Sequence, residues 1–170
     1  MTRLALNDAR WNDLMSRNGK AGFVPQRIEH LLLQPEDLAA FRDLWPELCS
    51  EGTAWSAAYA AVPYIIEIAR KLSPAQRLEH IVFIGYVAQC ECPESGESFR
   101  IQPYLEESYH QSLRDGLTLL AETLVCAHDP DNTRHLLASA AALKGHRSLA
   151  EAIENLDSGC PHCGKEILSR

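Results

Sequence analysis

The chain has 170 residues, 46% of them hydrophobic, and a net charge of −7 from 23 acids against 16 bases. That length supports one domain with a sizeable core, and that apolar fraction excludes an intrinsically disordered chain. The acids are concentrated, with six against one base from Glu29 to Glu51 and five against one from Glu91 to Glu107, which argues against a phosphate-backbone ligand and hence against nucleic-acid binding.

Apolar residues recur at helical spacing, and sustained alternation with β-branched residues is missing, so the expected class is all-α. Leu4 to about Asn18 reads as a first helix, broken by Gly19-Lys-Ala-Gly22. Pro25 suits the first turn of a second helix, to about Leu33, and Pro35 that of a third, with Glu36 and Asp37 near its positive end. Leu38, Phe41, Leu44, Trp45 and Leu48 form the apolar stripe of this third helix. Thr53 is expected to cap the strongest element, Ala54 to Leu72, in which almost every residue is apolar or small. A helix apolar nearly all round must be buried on several sides, and Pro63 is expected to kink it.

Ser73-Pro74 opens the next expected helix, to about Cys90, and a polar loop runs from Glu91 to Arg100. Pro103 starts another helix, with Leu105, Tyr109, Leu113, Leu117, Leu120 and Leu124 at three-to-four spacing. Asp129-Pro130 opens a helix to about Leu143, and Leu149, Ile153 and Leu156 mark a last one. The expected division is a helical domain over 1–157 and a cysteine-bearing tail over 158–170. The third, fifth and seventh helices start near Glu36, Ala75 and Asp131, 39 and 56 residues apart, the second interval stretched by the polar loop. A repeat of about 40 residues made of two helices is characteristic of HEAT and armadillo solenoids, so the expected architecture is a short solenoid of about four helix pairs, with a non-repetitive bundle as the alternative. No apolar run is long enough for a membrane helix, and Asp8 falls where a signal peptide would be apolar, so a cytoplasmic location is expected.

The stretch Leu44 to Ala69, with Gly52-Thr53 before an Ala-rich helix containing Pro63, resembles small bacterial HEAT-repeat-like proteins, and Ala140-Ala-Ala-Leu-Lys-Gly-His146 is similar to a later piece of the same pattern. The resemblance covers about a fifth of the chain and brings no catalytic residues with it. It implies an α-solenoid and a protein-interaction role; some such proteins resemble immunity proteins that neutralise toxins.

Two groups of residues carry candidate chemistry. The first is acidic: Glu36, Asp37, Asp43, Glu47 and Glu51, together with Glu91, Glu94 and Glu97, would steer a basic protein partner such as a toxin. The second is Cys160-Pro-His-Cys163-Gly164, whose spacing supplies half of a structural zinc site. Cys90-Glu-Cys92 is the best second half, with Cys126-Ala-His128 and His162 as alternatives, and exposed free thiols as the plain reading. A redox role is disfavoured because the motif follows a helix rather than opening one. Glu107 and His110 share a helix face, but the second copy that a di-iron site needs is missing. No phosphate-cradling loop, nucleophile elbow or His-Glu-x-x-His motif occurs. The reading is a non-enzymatic protein-binding module, with a zinc-dependent enzyme or metal or redox sensor as its rival. Leu4, Trp11 and Leu14 are assigned either to an end cap or to a dimer seam.

Overall fold

The computed structural model describes residues 3–90, 96 and 99–156. The described residues are mostly helical and hold seven α-helices: α1 (Val24–Leu33), α2 (Leu38–Leu48), α3 (Ser56–Lys71), α4 (Leu78–Cys90), α5 (Pro103–Val125), α6 (Pro130–Leu143) and α7 (Arg147–Glu154). Their only strands are two two-residue antiparallel hairpins, β1 (Met15–Ser16) with β2 (Gly19–Lys20) and β3 (Cys49–Ser50) with β4 (Thr53–Ala54).

The core is organised around α3. Twelve of its sixteen residues are buried, from Ser56 to Ala69. It packs against α1, α2, α4, α5 and β1, and its run of alanines lets those neighbours approach closely. The helix continues through Pro63, whose ring removes one backbone donor without ending it. Consecutive helices touch as α1 with α2, α3 with α4, and α5 with α6; alternate helices touch as α1 with α3, α3 with α5, and α4 with α6. The α2 to α4 contact is made by aromatic rings. Helix α7 closes one end against α6 and α4, aided by a His135–Glu154 contact of 2.5 Å.

The expected first helix over Leu4–Asn18 does not form. Ala5 and Asp8 close a turn, a single 3-10 turn follows at Ala9–Asn12, and the chain enters the first hairpin. Asp8 accepts the Arg10 amide and binds the Arg10 guanidinium, so a side chain outcompetes the helical bond here. Gly19, at φ 115°, permits the tight turn of β1–β2. The Trp11 indole N–H donates to the Ala5 carbonyl at 2.9 Å. Leu4, Trp11 and Leu14 are still buried, by this irregular path, so they form part of the core rather than an exposed seam.

Thr53 is not a helix cap. Glu51 and Gly52 both adopt positive φ, 52° and 73°, and make the two-residue turn of β3–β4, in which Thr53 pairs with Ser50. Helix α3 therefore begins at Ser56, whose Oγ accepts the Met15 amide at 2.9 Å and ties the two hairpins' neighbourhoods together. Helix α4 begins later than Pro74, after a turn in which the Ser73 amide and hydroxyl both donate to Gln76 Oε1. Helix α2 also begins later than expected: Pro35 and Glu36 form a turn, and Asp37 caps the helix from outside rather than lying in its first turn. Two further starts stand as the sequence implies. Pro103 opens α5, and the Asp129 carboxylate accepts the Asn132 amide at 2.9 Å to cap α6.

Helices α4 and α6 meet at Gly85. A Cβ there would lie 2.4 Å from Ser139 Cβ and 2.6 Å from its Cα, too close for either backbone to remain in place. Gly85→Ala is therefore expected to destabilise the fold by about 1–3 kcal/mol through overpacking, despite the higher helix propensity of alanine. Urea unfolding followed by circular dichroism measures this; an unchanged or raised midpoint contradicts the close α4–α6 contact.

Candidate functional site

The outer edge of the molecule is α2, an amphipathic helix whose buried face carries Phe41, Leu44 and Leu48. It is held to α4 by a ladder of rings. Phe41 stacks on His80 at 4.1 Å and 18°, and meets Phe83 edge-on at 5.6 Å. Trp45 meets Phe83 edge-on at 5.2 Å and lies 6.4 Å from Tyr86. Such pairs add directional preference to the area they bury. Outside the ladder, the Arg42 guanidinium grips both oxygens of Glu79.

This scaffold distributes the five described acids unequally. Asp37 is the α2 cap: it accepts the Ala40 amide at 3.0 Å and meets His30 Nε2 at 2.9 Å. The backbone bond and then the imidazole lower its pKa. Glu47 accepts from the Asn18 side chain at 2.7 Å, and its second oxygen is buried. Glu51 occupies a hairpin turn and lies 3.7 Å from the Arg17 guanidinium. Only Glu36 and Asp43 are exposed with no ion pair among the described residues. Of these five candidates, Asp37 and Glu47 serve the fold, Glu51 is an exposed ion-pair partner, and Glu36 and Asp43 face solvent. Glu91, Glu94 and Glu97 lie outside the described residues.

Of the four proposed zinc ligands, Cys92, Cys160 and Cys163 also lie outside the described residues, as does His162. Cys90 is the half-buried last residue of α4. Burial pushes its thiol up to about 11. Cys126 is exposed at the end of α5. Among the described residues no group of three or more His, Cys, Asp or Glu side chains converges as metal ligands. Glu107 and His110 are both exposed. No helix among the described residues is long and apolar enough to cross a membrane.

No protein family, no curated protein and no solved structure matches this chain. Chemistry must therefore be read from the side chains themselves. His80, with no partner in the sequence, reads there as a structural or solvated histidine, and the structure makes it structural. It lines a cleft of about 340 Å³ with Glu36, Leu38, Gln76, Glu79 and Asn132, at the junction of α2, α4 and α6. It is 1% exposed and neither ring nitrogen has a hydrogen-bond partner among the described residues. Burial lowers its pKa to about 4, with Glu79 opposing weakly, so the ring is neutral at pH 7 and stacks on Phe41 as an aromatic surface. Its signal in the sequence was its register, since positions 80, 83, 84 and 87 lie on one buried stripe of α4.

The unfolded chain binds a proton on this histidine near 6.5, and the folded one only near 4. Its contribution to stability is therefore complete above pH 6.5 and is lost as pH falls toward 4, by roughly 3 kcal/mol in all. Denaturant unfolding of the native chain and of His80→Phe, across pH 7 to 3.5, isolates this effect from that of the carboxylates. The native chain is expected to lose stability relative to the variant over that window. Parallel curves contradict a neutral, buried imidazole.

Proposed function

We propose that the chain is a non-enzymatic protein-binding module: a short HEAT-like solenoid that meets a basic protein along the α2 edge. Three features support the solenoid. Helices pair in sequence, alternate helices touch, and α7 packs on α6 and α4 as a last helix. The module is the reading that stacked helix pairs favour, because they hold a partner by many modest contacts across an extended face.

The observation that carries the α2 edge is the pairing pattern of its acids. Glu36 and Asp43 have no ion-pair partner among the described residues, while the aromatic ladder holds α2, which bears Asp43 and is preceded by the turn that holds Glu36. Exposed carboxylates on and just before a helix raise the local concentration of a basic partner and speed its arrival. A basic toxin neutralised by this module, the concrete version drawn from the resemblance to immunity proteins, satisfies these requirements.

Affinity capture from the native cell extract, followed by association kinetics with the captured protein, tests the reading. It predicts a basic partner whose association slows about tenfold or more between low and high salt. Glu36→Lys with Asp43→Lys is expected to slow association by about tenfold and leave unfolding within about 0.5 kcal/mol. An acidic partner, salt-indifferent association or an unchanged rate in the double variant contradicts it.

A further inference from the structure

The cleft of about 340 Å³ between α2, α4 and α6 has an apolar wall of Leu38, Leu72 and Leu78. Glu36 stands in its lining, exposed and without an ion-pair partner among the described residues. Glu79 also lines it, but the Arg42 guanidinium already holds both of its oxygens. Glu36 is therefore the uncommitted charge of the lining. His80 completes the wall: the ring is 1% exposed, Phe41 stacks on it, and neither nitrogen has a hydrogen-bond partner among the described residues. A phenyl ring would pack as well there. The imidazole thus brings to the cleft a hydrogen-bonding capacity that the fold leaves unused.

These features select the chemistry of an occupant. Carboxylates in the lining repel an anion. Glu36, Glu79 and His80 do not converge as the ligands of one metal ion, so the fit is to a cation whose donors are spread over a larger group. A guanidinium is such a group. It presents five N–H donors in a rigid plane and is weakly hydrated, whereas an ammonium is a compact, strongly hydrated point charge. Its methylene stem covers apolar surface while the head keeps its polar contacts. Burial holds the His80 ring neutral, which leaves one of its nitrogens an acceptor. We propose that the cleft is an arginine socket: an arginine side chain of the basic partner enters it, donates to the Glu36 carboxylate and the His80 imidazole, and lays its stem on Leu38, Leu72 and Leu78. The socket rests on the α2-edge reading for its partner and names the side chain that anchors that partner.

A single capped residue tests the socket without the partner. The full chain is titrated at pH 7 with Nα-acetyl-arginine amide and followed by NMR at the backbone amides and the His80 ring nitrogens. Saturable shifts are expected at Leu38, Gln76, Asn132 and His80, with a Kd on the order of 1 mM. The lysine analogue is expected to bind about fivefold more weakly, and the uncharged citrulline analogue to leave the cleft unshifted. Glu36→Gln and His80→Phe are each expected to weaken the arginine probe by about fivefold, as loss of one hydrogen-bonding partner does. Asp43→Asn, outside the cleft lining, is expected to leave it unchanged. Glu36 is exposed, so its variant keeps the test standing even if His80→Phe does not fold. No saturable shift at the cleft, equal binding of the lysine analogue, equal weakening by Asp43→Asn, or indifference to Glu36→Gln or to a folded His80→Phe would overturn the socket. Failure of the probe leaves the salt-dependent capture of a basic partner intact, whereas capture of an acidic partner overturns the module's reading and not the binding of the probe.

Discussion

Helix α3 is the constraint on which the other elements depend. A segment with twelve of sixteen residues buried cannot lie on a surface, so neighbours must surround it, and α1, α2, α4, α5 and the first hairpin do so. Its alanines lower the contact radius, and its bulk comes from Tyr59, Tyr64, Ile65, Ile66 and Ile68. The same economy of size recurs where α4 crosses α6 at Gly85 and where Gly116 of α5 faces Ile66. Around this axis, charge plays a secondary part. Arg70–Asp115 and Arg42–Glu79 join helices at the surface, where such pairs contribute little. Arg77 is the exception: its side chain is buried, and its guanidinium reaches Glu122 of α5.

The α2 edge follows from that arrangement. Its inner rings are committed to α4, so its outer positions are released from packing duty and carry Asp43 to solvent, with Glu36 exposed in the turn before the cap. His80 belongs to the packing side of this division. In a neutral state it acts as one more ring of the ladder, and the unsatisfied polar atoms it brings are the cost of placing an imidazole where a phenyl ring would fit. Near the far end of α4, the Tyr86 hydroxyl accepts the Gly52 amide of the hairpin that delivers the chain into α3.

Much of this was legible in the residues. Periodicity located α2 through α7, and the cap-and-proline signals at Pro103 and Asp129-Pro130 marked real helix starts because nothing tertiary competes with them. The hairpins were not legible. Glu51 supplies a positive φ that its residue type rarely adopts, and hairpin contacts with α2 and α4 hold it there. Over Leu4–Asn18 an apolar spacing that fits a helix is met by turns, since the local Asp8–Arg10 bonds outweigh a helix rich in Asn and Asp. Among the acids, charge density alone could not separate Asp37, a cap, from Asp43, a free carboxylate; that distinction depends on backbone geometry.

Native-state hydrogen exchange of the α3 amides tests the central claim most directly. If α3 is enclosed by its neighbours, the amides of Tyr64 to Ala69 open only with the whole molecule, and their exchange free energies match that of global unfolding from denaturant. Exchange from α3 as fast as from the α7 end would mean that solvent reaches the axis without unfolding, and the account of the fold would be wrong.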